Sequence, residues 1–366
     1  MWYSFYAIFR KELLHIFRDR GTVRLVVMIP IMQLMLFGFI DETVHDVATV
    51  VVDQDRSVDS RDFMDQMRAS KTFKIIRLTA SPDEARADIR SGRARVGVII
   101  PSKFHDHKLR GLAPQVLVLI DGSDSTVSAQ ALASINGLVD RENLAKAGTA
   151  TVGAVSAQPI ILFNPEGRTA NYLIPGLVAV LMMMAGMLLS ASAIVKEKEQ
   201  GTFEQLLVTP INPVGLVLGK VVPYLFFALF EGSLVLTIMR FAFHVPIRGN
   251  LLFLFVASVL YLFSLLSLGL LISTRAQTQM ASQQMVQATF LPSIFLSGYI
   301  FPLEGFPKIL QGIGHIFPVT YMIAIMRGVI LRNANLWDMW PNVAVLAGMS
   351  VALVFLASRS IHKVAQ

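Results

Sequence analysis

Lys196-Glu-Lys-Glu-Gln-Gly-Thr-Phe-Glu-Gln-Leu-Leu-Val-Thr-Pro210 is a polar, glycine-punctuated segment between two apolar runs, 171–195 and 214–240. Each run is long enough to cross a hydrocarbon core, which takes about 20 mostly apolar residues. The segment is therefore read as the water-facing link between two membrane spans. Gly201 breaks the preceding helix. Thr202 with Gln205 three residues on makes a capping-box pattern, Phe203, Leu206 and Leu207 supply an apolar face, and Pro210 and Pro213 end it. Local chemistry leaves two forms open. One is a short helix held across the membrane surface with Glu197, Glu199 and Glu204 toward water; the other is an ordinary interfacial loop.

Composition agrees with the membrane reading: 54% hydrophobic residues, 16% charged residues and a mean hydropathy of +0.58 do not describe a water-soluble domain. Working outward from the central pair, the expected spans are 22–40, 171–195, 214–240, 250–274, 284–302 and 340–358. Residues 303–332 are apolar too, but Gly312, Gly314 and Pro318 interrupt them and Arg327 and Arg332 load their end. A re-entrant or interfacial pair of helices fits that pattern better than a seventh span. The fold class expected is an α-helical polytopic membrane protein with six transmembrane helices.

The net charge of +7 is distributed to suit lipid rather than nucleic acid. Arg10, Lys11, Arg18 and Arg20 precede the first span, Lys196 and Lys198 follow the second, Arg275 follows the fourth, and Arg359 and Lys363 close the chain. By the positive-inside rule both termini, including the tail 359–366, are expected to be cytoplasmic. In residues 1–21, Trp2, Phe5, Phe9, Leu13, Ile16 and Phe17 recur at steps of three or four. Arg10, Lys11, Glu12 and Arg18 lie on the other face, as in a helix resting in the head-group plane. The first apolar run has no small-x-small cleavage pattern after it and reads as an uncleaved span.

Residues 41–170 alternate strand and helix patterns. Val47–Val52, Phe73–Leu78, Val96–Ile100 and Val116–Ile120 read as strands; Ser57–Ser70, Pro82–Ser91 and Asp124–Lys146 read as helices. This is expected to be an α/β domain inserted between the first two spans and extracytoplasmic, since it follows a cytoplasmic N-terminus and one crossing.

No catalytic constellation emerges. With no cysteine, disulfides and thiolate metal sites are excluded, and the seven His show no metal-site spacing. Gly215-Leu-Val-Leu-Gly219-Lys220 has three residues between its glycines and Val221 after the lysine, so it is not a phosphate-binding loop. Asp53, Asp55, Asp59, Asp62 and Asp65 lack the spacing of a calcium loop; they read as a strand-to-helix connection followed by a polar helix face. Asp121-Gly-Ser-Asp124 reads as a turn ending in a helix cap. Glu231 stands apart because it falls mid-span, where a charge costs about 2.5–3.5 kcal/mol even on the insertion scale. It suits contact with a substrate or proton relay, or a protonated carboxyl bonded to a neighbouring helix. Glu231, Gln33, Gln287 and Ser297 form a candidate pathway lining, although Ser and Gln in spans also bond between packed helices. The Met182-Met-Met184 run suits either an adaptable ligand lining or plain packing.

The segment from Glu197 to Pro210 closely resembles the motif that follows the second span in ABC-2-type permeases, the membrane subunits of a class of ATP-driven exporters. Arg10-Lys-Glu12 with Arg18-Asp19 resembles the family's elbow helix. Val96-Gly-Val-Ile-Ile-Pro101 and Leu119-Ile-Asp-Gly122 resemble its external domain, Leu296-Ser-Gly-Tyr-Ile-Phe-Pro302 its fifth span and Pro318 to Tyr321 its re-entrant region. The order of segments is similar to that of the bacterial multidrug-efflux permeases of the Ybh and Yhh systems.

The resemblance implies a bacterial inner-membrane permease subunit that exports a hydrophobic or amphipathic, drug-like or lipid-like substrate. It is not itself an enzyme: two cytosolic ATPase subunits would bind ATP and Mg, and a second permease chain, identical or paralogous, would complete the pathway. Residues 196–213 would be the coupling helix docking on the ATPase, with Glu197, Glu199, Gly201, Thr202, Phe203, Glu204, Leu207, Thr209 and Pro210 as its contact set. The external domain is of a size to meet a periplasmic adaptor protein. Two other functions fit less of the chain. An ion-coupled secondary transporter would need more than one mid-span charge and usually a repeat; a membrane-anchored ligand-binding or assembly protein would not need six spans.

Overall fold

The computed structural model describes residues 46–146, 154–166, 168–201 and 213–364. The expected elbow helix and first span, including Arg10, Lys11, Glu12, Arg18 and Gln33, lie outside the described residues, as do Thr202, Phe203, Glu204, Leu207, Thr209 and Pro210.

The α/β domain is built on β1 (Val47–Asp53), α1 (Val58–Ala69), β2 (Phe73–Thr79), α2 (Pro82–Arg90), β3 (Val96–Ile100), α3 (Phe104–Leu109), β4 (Gln115–Asp121), α4 (Ser125–Lys146) and β5 (Ser156–Leu162). Its five strands run in the order β2-β1-β3-β4-β5, and every neighbouring pair is parallel except β3 with β4. The strands expected from β-branched runs appear within a residue or two of their expected ends. β3, central in the sheet, is buried at all five positions, as a strand covered on both faces must be.

Period-two alternation divides the core. Val51, Val98 and Val118 pack with Phe63, Met67, Phe104 and Ile135 of the helices on one face. Val50, Val52, Ile99 and Leu119 meet Ala85 and Ile89 of α2 on the other. Asp121, at the end of β4, falls on this second face.

The helical part comprises α5 (Thr169–Ala191), α6 (Val195–Glu199), α7 (Pro213–Phe241), α8 (Leu251–Arg275), α9 (Gln279–Leu296), α10 (Lys308–Gly314), α11 (Pro318–Arg332) and α12 (Leu336–Val364). Among the described residues four helices are long and apolar enough to cross a membrane: 170–199 (α5 through α6), 221–241 within α7, α8, and 336–361 within α12. α10 and α11 are bent at 83° to each other, as a broken span or a re-entrant loop. Two expectations shift. α9, taken from sequence as a span over 284–302, starts at Gln279, ends at Leu296 and is not among the four; Gln279, Gln283, Gln284 and Gln287 dilute its apolar character. The helix before the polar segment ends at Ala191 rather than at Gly201, and one further turn, α6, intervenes.

α8 lies at the centre, packed on α5, α7, α11 and α12. Its Tyr261 is fully buried and donates to the Ala179 carbonyl of α5 at 2.9 Å. Gly269 of α8 is required where the two helices are closest, because a Cβ there would collide with Ser190 Oγ. Met182 and Met183 are buried in this core, whereas Met184 is exposed, so most of the methionine run is packing.

Candidate functional site

The end of the bundle remote from the sheet is organised around the start of the polar segment. At the break between α5 and α6, two backbone N–H groups need an acceptor. Ser273 of α8 supplies it: its Oγ accepts from Ile194 N and Val195 N, both at 3.0 Å. Ser273 has no exposed surface. Ser282 of α9 donates to the Ala191 carbonyl at 2.6 Å. Lys198 donates through Nζ to the Thr274 carbonyl at 2.7 Å, and Thr274 in turn bonds Ser360 of α12 at 2.7 Å. Glu199 takes two hydrogen bonds from Gln279, from the backbone N at 2.8 Å and from Nε2 at 2.5 Å. Up to Gly201 the segment is thus tied to α8 and α9.

α6 ends in the left-handed manner that glycine permits. Gly201 has φ +69° with nothing near its Cβ position, and its N–H returns to the Lys198 carbonyl at 3.2 Å, so the residue that sequence marks as a breaker closes α6. Glu197 is half-buried and Glu199 exposed; the Glu199 carboxylate is engaged by Gln279 rather than presented bare to water.

The sheet-side end is held by charge. Asp121, with no exposed surface, accepts from Arg95 at 3.0 Å and from Arg332 of α11 at 3.3 Å. Arg95 also approaches Glu304 at 3.8 Å. Arg327, one turn and a half before Arg332, donates to the carbonyls of Gly298 at 3.0 Å and Tyr299 at 2.8 Å, and its guanidinium lies 4.2 Å from the Tyr172 ring centroid. Burial alone would raise the Asp121 carboxyl, but Arg332 and Arg95 hold it below the usual range. Three residues on, Asp124 caps α4 through Thr126 N and Val127 N at 3.1 and 3.2 Å; there burial prevails over the pull of Arg327 and Arg95 and pushes the carboxyl up. A polar cavity of about 300 Å³ lies among Arg95, Asp124, Ser297, Glu304, Arg327 and Arg332.

Among the described residues, the pathway candidates Glu231, Gln287 and Ser297 do not line one cavity. Ser297 lines that polar cavity and is buried, donating to the Ile294 carbonyl at 3.0 Å. Gln287 is exposed on α9, and Glu231 is half-buried on α7. Neither lines that cavity. The aspartates of the α/β domain serve structure: Asp53 binds the turn at Asp55 N and Arg56 N, Asp55 accepts from Phe104 N and His105 N at 3.0 Å, and Asp59 pairs with Lys108 at 2.8 Å and with His105. Among the described residues no group of His, Asp or Glu could hold a metal ion.

Sequence reasoning missed the roles of Ser273, Gln279, Asp121 and Arg332. For the arginines a signal existed: a charge inside an apolar run requires a partner, and Arg332 finds it 211 residues earlier in the chain.

An α/β domain joined to a bundle of apolar helices, with a polar segment braced between spans, defines a polytopic integral membrane protein of the permease kind. The family model described as ABC-2 family transporter protein matches residues 21–359, and the chain belongs to that family. It is 31% identical over 361 residues to "Probable multidrug ABC transporter permease YbhS" of Escherichia coli K12, covering 97% of this chain and 96% of that one. It is 28% identical over 370 residues to "Probable multidrug ABC transporter permease YbhR" of the same organism, covering 99% and 100%. With "Inner membrane transport permease YhhJ" it shares 27% over 281 residues, 75% of each chain.

Proposed function

We propose that the chain is the permease subunit of an ATP-driven exporter in a bacterial inner membrane. In this reading it has six spans, the first at 22–40 and the fifth built on α9, both termini are cytoplasmic and the α/β domain is extracytoplasmic. A second permease chain completes the pathway, and separate ATPase subunits supply the energy. The substrate class is hydrophobic or amphipathic, drug-like or lipid-like, in keeping with the names of the two relatives that align over nearly the whole chain. The α/β domain is the surface offered to a periplasmic adaptor.

The observation that carries the reading is the bracing of the polar segment. A segment that only linked two spans would gain nothing from three hydrogen bonds to α8 and α9 and two more at Ile194 and Val195 just before it; one that receives force from a partner needs a stiff connection to the helices it must move. Residues 196–213 are then the coupling helix, and Glu197 and Glu204 its charged contacts. In the reconstituted complex, Glu204→Lys and Glu197→Lys are expected to abolish export while the permease stays inserted. Wild-type export and wild-type ATPase stimulation in both variants would refute the docking role.

One observation favours a second reading. Glu231 has no hydrogen-bond or ionic partner among the described residues, which suits an ion-coupled carrier. Loss of transport on ATP removal with the proton gradient clamped, and its persistence in Glu231→Gln, separate the exporter from that alternative.

A further inference from the structure

At the sheet-side end of the bundle, α7, α8 and the connection between them enclose a second cavity, a groove of about 790 Å³. That is within the range of roughly 300–1,000 Å³ common to small-molecule sites. Its floor is Met182 of α5, on which Gly232 of α7 sits directly: a Cβ at Gly232 would lie 2.9 Å from Met182 Sδ. Its roof is the 242–250 connection, pinned by Arg248 N to the Ile330 carbonyl at 3.0 Å and by Gly249, where any Cβ would strike the Val329 carbonyl. The walls include Leu229, Leu236, Leu254 and Phe255, and among the described residues the single charged one in the lining is Arg240.

The hydroxyls in the groove are already satisfied. Ser233, Thr237 and Ser258 each donate to the carbonyl four residues earlier, all at 2.8 Å. The groove therefore offers an apolar interior with one cation at its mouth. Arg240 differs from the other arginines at this end: Arg248 bonds the Leu331 carbonyl, Arg327 the carbonyls of Gly298 and Tyr299, and Arg332 Asp121. Arg240 has no acceptor among the described residues and is exposed.

Its depth also fits. Within α7 (Pro213–Phe241) the 19 residues between Lys220 and Arg240 carry one charge, Glu231, and span about 28 Å at 1.5 Å per residue, close to a hydrocarbon core of about 30 Å. Arg240 closes that run, so its guanidinium reaches the head-group layer. Trp337 and Trp340 at the start of α12, at the same end of the bundle, are 84% and 59% exposed, as interfacial aromatics are. Around the mouth Leu251, Leu252 and Phe241 are exposed, so the groove opens sideways to acyl chains.

We propose that this groove binds an anionic phospholipid of the leaflet on the sheet side, its acyl chain along Leu229, Leu236 and Phe255 and its phosphate on Arg240. A guanidinium suits this task because its fork pairs with phosphate oxygens in bidentate fashion. Among the described residues the lining holds no carboxylate to compete for it. The site is independent of the export reading and requires only that the helices span a bilayer.

The test uses the full chain, purified with whatever subunits accompany it and placed in nanodiscs of phosphatidylcholine with or without phosphatidylglycerol, without ATP. Native mass spectrometry of the released protein reads retained lipid. Wild type is expected to retain phosphatidylglycerol in preference to phosphatidylcholine, and Arg240→Gln to lose that preference by roughly fivefold, the weight of one basic side chain at an anionic lipid. Arg240→Lys is expected to keep most of it. Leu236→Trp, which fills the groove and leaves Arg240 in place, is expected to lose retention as well. Equal retention of both lipids by wild type, or an unaffected Leu236→Trp, would overturn the site. So would clearance of the bound lipid when ATP is added in a second arm, which would make the occupant cargo.

Discussion

The two ends of the helical bundle are joined by different chemistry. On the sheet side, α11 is fastened to β4 by ions: Asp121, with no exposed surface, is held between Arg95 and Arg332. At the far end, α5 and α6 meet α8 and α9 through hydroxyls, backbone groups and one exposed Glu199–Gln279 pair. A buried ion pair is costly to open because each charge is left without a partner. At the far end the bonds at Ser273 and Ser282 are buried as well and contribute about 0.5–1.5 kcal/mol net each; the Glu199–Gln279 pair is the part that lies open to water. The contrast assigns the sheet side to one ionic mount and the far end to a joint of several smaller bonds that together hold the start of the polar segment stiffly to α8 and α9.

The largest effects follow from breaking the mount or the buried acceptor at the joint. Arg332→Gln removes one of the two cations from a carboxylate with no exposed surface, and the expected loss is about 3–5 kcal/mol of stability, read as a lowered melting temperature in detergent. A loss below about 1 kcal/mol would mean that Arg95 alone suffices and would weaken the contrast. At the joint, Ser273→Ala strands two backbone N–H groups, each worth about 1–3 kcal/mol when left unsatisfied. Faster hydrogen exchange confined to Ile194 and Val195 is the expected signature; slower or unchanged exchange there would show that Ser273 is not the acceptor that matters.

The two aspartates near the mount sharpen the comparison further, because their carboxyls shift in opposite directions. Asp121 is depressed, so its stabilisation is complete above the unfolded value of about 3.9 and fades as pH falls through the lower folded value. Asp124 is raised, so its contribution is present below about pH 3.9 and is lost as pH rises through the higher folded value. Asp124→Asn keeps the cap, since Asn serves there about as well as Asp. At pH 7 it is expected to change stability little or to raise it, and to remove the gain otherwise seen on moving from neutral toward pH 4. Asp121→Asn at pH 7 is expected to be destabilising; equal effects of the two substitutions would contradict the assignment. The smallest effect is Gln279→Ala, which removes one hydrogen bond to an exposed carboxylate. A pair of that kind contributes about 0.2–1 kcal/mol, so the melting temperature should barely move.

Much of this architecture was legible in local pattern. The β-branched runs at 47–52, 96–100 and 116–120 gave their strands because buried central strands leave few alternatives. β5 was not read: Ser156-Ala-Gln-Pro-Ile-Ile-Leu162 is a half-exposed edge strand with a proline, and edges carry a weak signal. α3 is six residues long, too short to show a period. Asp121 looked like a turn residue because its local bond, from Ser123 N at 3.0 Å, is a turn bond; its ionic partner lies far away in sequence. The joint escaped for another reason. Hydroxyl-bearing residues recur along α8, and only the observed break at 192–194 singles out Ser273. Gly201 was correctly marked as a breaker, although the helix had already turned before it.

The central claim is that the joint carries motion from the polar segment into α8 and α9, and Gln279→Ala tests it because stability is spared. Export and ATP hydrolysis should be measured together in the reconstituted complex. The account predicts that hydrolysis stays near wild type while export falls severalfold, the two becoming uncoupled. Export and hydrolysis both at wild-type levels, with Glu199 shown to have no other partner, would contradict it.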